Sequence, residues 1–220
     1  MSLLRPHEFD LLVAAPVPAT SYAQRFKRIV DIVGAVLAIA VTAPVILIAL
    51  ALVSMDGHAP IYTQSRIGRD GRVFRMLKIR SMVPDSVKAL AAHLERNVAA
   101  RIEWEATQKL RHDPRITRIG RIIRKTSIDE LPQLWNVLKG DLSLVGPRPL
   151  MPDQLGLYPG LCYFGATPGL TGLWQVEGRG DTAMSARAWF DQRYAADVSF
   201  RRDVVILLKT IGSVVRGTGC

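Results

Sequence analysis

Between Ile29 and Val53 runs IVDIVGAVLAIAVTAPVILIALALV, 25 residues whose single charge is Asp31. About 20 apolar residues suffice to span a bilayer, and apolar runs longer than about 18 are uncommon in soluble domains. Whatever fold this chain adopts must give that stretch either lipid or a large core. Its flanks favour lipid and limit the topology. Arg25, Lys27 and Arg28 precede it, and Arg66, Arg69, Arg72, Arg75, Lys78 and Arg80 follow it. Positive charge marks cytoplasmic ends, and here both ends qualify. Pro44 lies near the middle, where it removes a backbone hydrogen bond and kinks a helix, and Thr42 could satisfy a freed carbonyl. A bent helix that enters and leaves by the same face fits these facts, and a kinked span remains open.

The rest of the chain narrows the class. A length of 220 residues suits one domain, or a small domain with a membrane element. Two cysteines, Cys162 and Cys220, make neither a disulfide framework nor a metal cluster, which points to a reducing setting. A net charge of +10 calls for a polyanionic partner: nucleic acid, an anionic membrane face, or phosphorylated substrates. Walker A, dinucleotide-binding GxGxxG and HExxH sequences are absent.

Residues 1–24 read as a loosely ordered lead-in, 25–56 as the membrane helix, and 57–220 as a domain on the cytoplasmic face. Gly57 to Met82 predicts a hairpin with an Arg69-Asp70-Gly71 turn and a returning strand Val73 to Ile79 that carries Lys78 and Arg80. Asp85 to Leu110 has the apolar spacing of one scaffold helix. Arg115, Arg118, Arg121 and Arg124 recur every three residues among isoleucines, giving a helix suited to an anionic membrane surface. Gly140 to Pro152 is turn-rich and fixes Arg148 between two prolines, a rigid mount for bidentate phosphate binding. Tyr158 to Asp181 reads as loop around Trp174, Gln175 and Arg179, and Ala183 to Ala196 and Val204 to Val215 as helices.

Within Lys125 to Pro149, KTSIDELPQLWNVLKGDLSLVGPRP, stands the adjacent pair Asp129 and Glu130. From Arg115 to Lys125 there are five cationic side chains and no acid, a field that attracts anions and should depress carboxylate pKa values. An ionised Asp129 there could be a nucleophile, a Mg²⁺ ligand, or both. The same residues also fit a capping box, Ser127-x-x-Glu130, opening a helix at Ser127 to Asp129.

Several segments in order, QSRIGRDG from Gln64, KIRSM from Lys78, DELPQLWNVLKGDLSLVGPRP from Asp129 and PGLTGLWQV from Pro168, resemble the bacterial sugar transferases of the monotopic phosphoglycosyl transferase superfamily. The likeness is to the type that starts exopolysaccharide synthesis on undecaprenyl phosphate. It implies a mixed α/β, mainly helical fold, with a re-entrant membrane helix, amphipathic interfacial helices and a small β-hairpin around the active site. It also implies transfer of a hexose-1-phosphate from a UDP-hexose to a polyprenol phosphate through a phosphosugar on Asp129. Glu130 is the implied catalytic partner, and Mg²⁺ is expected near Asp129. Lys78, Arg80, Arg124 and Arg148 are the cations expected to hold phosphate. The expected setting is the cytoplasmic face of the bacterial inner membrane, with anionic lipid as a partner and a homo-oligomer left open. Ala43 and Ile79 depart from the family pattern, where Ser and Phe are usual. A rival class, a membrane-tethered basic nucleic-acid-binding or regulatory protein, suits the charge. Against it, Arg111 to Arg148 holds one aromatic, Trp135, too few to stack bases.

Overall fold

A computed structural model describes residues 22–107, 110–159, 162–178 and 184–216. The lead-in falls outside them as far as residue 21, and so does Arg179. A π-helical turn, Tyr22–Phe26, runs into α1, Lys27–Ser54. This helix wears its polarity inside out. Asp31, Ala35, Ala49 and Val53 face the protein, whereas Leu37, Leu47, Ile48 and Val41, the last 79% exposed, face away. A core helix would bury the bulky aliphatics and expose the small and charged residues. Bulky side chains turned outward along a helix long and apolar enough to cross a membrane suit lipid as solvent. Helical assignment continues through Pro44. The Thr42 hydroxyl donates to the Ala38 carbonyl at 2.7 Å, two residues before the Ala40 carbonyl that Pro44 deprives of its donor.

Both ends of α1 are fastened to the same body. At the start, Arg28 donates to the carbonyls of Val137 (2.6 Å) and Leu138 (2.8 Å). The Lys27 ammonium reaches Asp203 at 2.8 Å and Asp31 at 3.7 Å, while Asp31 accepts the Leu144 N–H at 3.1 Å. At the far end, Ala49 and Val53 pack with Ile79 and Ile123, and the Arg80 guanidinium donates to the Val53 carbonyl at 3.1 Å.

The body is mainly helical with two small sheets. Strands β1 (Ile61–Ile67) and β2 (Val73–Ile79) form the expected antiparallel hairpin, pairing Lys78 with Tyr62, and Asp70 takes a positive φ in the turn. Residues expected to form one helix make two, α2 (Ser86–Arg96) and α3 (Val98–Thr107), because Asn97 between them is extended. The basic helix α4 spans Arg118–Lys125, shorter than its cation spacing suggests: Arg115 precedes it and pairs with Asp113 at 2.6 Å. Helix α5 (Gln133–Lys139) docks on the hairpin through Asn136, which is fully buried. Its Oδ1 accepts the Leu77 N–H at 3.0 Å and its Nδ2 donates to the Arg75 carbonyl at 2.8 Å, so a side chain does the work of a third strand.

The turn-rich stretch after α5 hides a buried strand, β3 (Ser143–Val145), which runs parallel to β4 (Gly169–Thr171). Gly169 is required there, since a Cβ would stand 2.1 Å from the Gly146 nitrogen. Between the strands lies a short helix, α6 (Cys162–Gly165), and Trp174 and Gln175, expected in a loop, sit on α7 (Leu173–Glu177). Helix α8 (Met184–Ala195) matches expectation, and α9 (Phe200–Val215) starts earlier than expected because Ser199 caps it through the Arg202 N–H.

Candidate active site

Asp129 and Glu130 lie on a single 3₁₀ turn, Ile128–Glu130. The expected capping box does not form. Ser127 is left-handed at φ 56°, its side chain makes no cap bond, and α5 begins only after Pro132. The Glu130 carboxylate is drawn away to the Lys78 ammonium at 2.9 Å, so it cannot reach back to Ser127.

Lys78 projects from β2 into an open cleft that it lines with Arg66, Glu130, Gln133, Arg148 and Gln175. Three cations there face one carboxylate. The Arg66 Nε and Gln133 Nε2 donors are buried and have no hydrogen-bond partner among the described residues. Arg66 is pushed down to about 10, first by burial and then by the charges of Arg148 and Arg187. Buried donors with surplus positive charge are a cradle for an anion. The Arg148 guanidinium lies 6.0 Å from the Trp174 ring centre, a cation–π contact that still leaves its edges for bidentate bonding.

The two carboxyls have been pushed apart. Burial would raise Glu130, but the charges of Lys78 and Arg148 outweigh it and hold the group below its ordinary value. Asp129, only 8% exposed, is raised by burial and then by the Glu130 charge, with Lys78 and Arg124 pulling the other way. The depressed value expected from the basic run is therefore wrong for Asp129, since counting cations along the chain leaves out desolvation. Its carboxyl makes no ion pair among the described residues, and it stands beside the cleft rather than lining it.

The other expected cations divide. Arg124 donates through Nε to the Ser81 hydroxyl at 2.9 Å and acts on Asp129 by its charge. Arg80 belongs elsewhere. Its guanidinium grips Asp56 at 2.6 and 2.7 Å and bonds the carbonyls of Val53 and Ala59, closing the end of α1. It is expected to hold phosphate, yet it does not line the cleft that holds Lys78. Reasoning from sequence passed over Arg66, Gln133 and Arg187. Arg66 could have been suspected, because it lies in the QSRIGRDG segment on a strand facing Lys78's strand.

Fold and site together define a protein with a membrane-associated helix and a cationic, anion-seeking cleft beside a buried carboxyl. More narrowly, the chain belongs to the bacterial sugar transferase family, whose profile matches residues 22–217. It is 48% identical over 221 residues to the UDP-galactose-lipid carrier transferase of Erwinia amylovora, covering 100% of this chain and 46% of that protein. It is 44% identical to the undecaprenyl-phosphate galactose phosphotransferase of Salmonella typhimurium, with 100% of this chain and 46% of that protein covered. Against the exopolysaccharide production protein ExoY of Sinorhizobium fredii it is 42% identical over 196 residues, 88% of this chain and 87% of the other. The chain thus spans about half the length of the first two relatives and most of the third.

Proposed function

We propose that this chain transfers a hexose-1-phosphate from a UDP-hexose to undecaprenyl phosphate, starting exopolysaccharide or related glycan assembly at the cytoplasmic face of the inner membrane. The observation that carries this is the cleft, in which three cations and two unspent buried donors meet one carboxylate beside Asp129. A diphosphate supplies the missing negative charge. The printed names of the relatives, which pair a galactose transfer with a lipid carrier or undecaprenyl phosphate, support the same substrate classes.

In the first step an Asp129 carboxylate oxygen attacks the sugar-bearing phosphorus. The bond from that phosphorus to the bridging oxygen breaks, and the oxygen leaves with its electron pair as part of UMP. In the second, a phosphate oxygen of the polyprenol attacks the same phosphorus and displaces the Asp129 carboxylate, giving a polyprenol diphosphate hexose. Lys78, Arg66 and Arg148 steady the charge that develops on the phosphoryl oxygens. Glu130, held ionised by Lys78, keeps that ammonium aligned. The residues fit Mg²⁺ held chiefly by substrate phosphates: Asp129 offers one buried, unpaired carboxyl, and no cluster of three or more acidic, His or Cys ligands exists among the described residues. Bound there, the ion would neutralise diphosphate charge.

The test is UMP release by the purified, lipid-embedded chain supplied with UDP-sugars. Without polyprenol phosphate, release should stop at one UMP per chain or less; with it, turnover should continue, and chelation of Mg²⁺ should halt both. Release that strictly requires the acceptor would overturn the covalent step, and no release from any UDP-sugar would overturn the function.

For α1 we infer a re-entrant course. A helix that crossed the bilayer could keep only one end on a domain confined to one side, whereas Arg28 and Val53 are both tied to the same body. With the native cysteines replaced by serine, Thr20→Cys and His58→Cys should both be labelled by an impermeant thiol reagent only from the cytoplasmic side. Labelling of either from the periplasm would sink the re-entrant course and leave the chemistry of Asp129 standing.

A further inference from the structure

The turn that presents Arg148 has prolines on both sides, so its backbone lacks the N–H groups that would tie it into a ladder. The Pro147 carbonyl accepts the Gly169 N–H at 2.8 Å, and the next two carbonyls are held by side chains. Arg66 Nη1, on β1, donates to the Pro149 carbonyl at 3.0 Å, and Arg187 Nη2, on α8, donates to the carbonyl of Arg148. Arg187 is buried and does not line the cleft. Its guanidinium carbon stands 5.8 Å from the ring centres of both Tyr158 and Trp174, the same Trp174 that carries the Arg148 guanidinium. Behind it Asp191, one helical turn on, lies 4.0 Å from its Nε and accepts the Tyr158 hydroxyl at 2.7 Å.

A third guanidinium beside Arg66 and Arg148 is an expensive way to satisfy one carbonyl. Burial and the charge of Arg148 both disfavour the cation, and a buried carboxylate, Asp191, is needed to sustain it. A neutral donor would serve if only the fold were at stake. What the guanidinium adds is reach: one planar group holds the Arg148 backbone and lies against the ring that seats the Arg148 side chain.

We propose that Arg187, backed by Asp191 and Tyr158, is a positioning residue for the sugar-nucleotide donor, acting through Arg148 and Trp174. The proposal rests on the transferase reading and adds to it a residue that touches no substrate. Loss of Arg187 should release the Arg148 turn, so that its side chain must be reordered each time a diphosphate binds. The penalty falls on the donor and spares the lipid acceptor.

The test compares Arg187→Met, Arg187→Lys and the double variant Arg187→Met with Asp191→Asn, which leaves no unpaired buried carboxylate, in wild-type and Arg148→Ala backgrounds. In the wild-type background Arg187→Met should raise the donor KM about 10- to 100-fold, the size expected for losing a charged hydrogen bond. The acceptor KM should stay within about twofold, and Arg187→Lys should recover part of the loss. The Asp191→Asn double variant should match Arg187→Met. In the Arg148→Ala background, Arg187→Met should add less than about threefold, because the two act as one unit. An equal factor in both backgrounds, or an equal rise in acceptor KM, would overturn the proposal. Hydrogen exchange decides the restraint without any turnover: the Leu150 amide, which donates to the Tyr163 hydroxyl at 3.0 Å, should exchange faster in Arg187→Met, and unchanged protection would overturn it. Failure of the unmutated chain to release UMP would instead strike the transferase reading, with the exchange result still deciding whether Arg187 restrains the turn.

Discussion

Asp129→Asn should cut UMP release at least about a thousandfold, as removal of a nucleophile does, while leaving the protein as stable as before or more so. The two halves of that expectation come from different physics. An amide keeps the volume of the carboxyl but has no anionic oxygen to attack phosphorus. It also removes a charge that the fold buries without an ion pair among the described residues, and whose ionisation burial and Glu130 both oppose. Activity lost with thermal stability kept or raised, measured on the same preparation, is the signature of a group held for chemistry at the expense of the fold. A large fall in melting temperature would return Asp129 to a structural role, and turnover above a few per cent of wild type would remove it as nucleophile.

Lys27→Met should destabilise the protein by about 3–5 kcal/mol, the range for stripping one partner from a buried ion pair. Lys27 is the sole cation within 4 Å of Asp203 among the described residues, and it also serves Asp31. Asp203 is buried among donors, accepting the Tyr22 hydroxyl at 2.9 Å and the Tyr194 hydroxyl at 2.7 Å. Methionine fills the lysine's space and leaves both carboxylates without their countercharge. Chemical denaturation should show the loss, and adding Asp203→Asn should restore part of it. If Lys27→Met costs less than about 1 kcal/mol, the range of exposed pairs, the start of α1 is not held by this cluster.

What could be read from the sequence, and what could not, follows from how far each signal reaches along the chain. The apolar run of α1 and the Arg69-Asp70-Gly71 turn are local, and the structure reproduces both. Three-residue strands such as β3 and β4 are too short for alternation to register, and their parallel pairing joins residues 26 apart, as Ser143 does with Gly169. Lys78 and Arg80 look equivalent on strand spacing. Yet β2 ends at Ile79, and Asp56, a surface acid with no motif around it, captures Arg80 at the foot of α1. Arg187 had no signal of its own among 29 Lys and Arg residues, and Arg66 had only its place in QSRIGRDG. Their meaning comes from the proline-flanked turn that they approach from two distant elements.

The double fastening of α1 also fixes a height. Because the start of the helix is tied through Arg28 to α5 and its end through Arg80 to the edge of β2, the outward-facing aliphatics cannot sink or rise in lipid without carrying the cleft along. Immersion depth then becomes a constant of the fold, set by one band of leucine, isoleucine and valine. Under the proposed reaction, an acceptor whose phosphate already rides at the bilayer surface would meet the Asp129 carboxyl by sliding sideways in two dimensions. Only the water-soluble donor would have to arrive from the third.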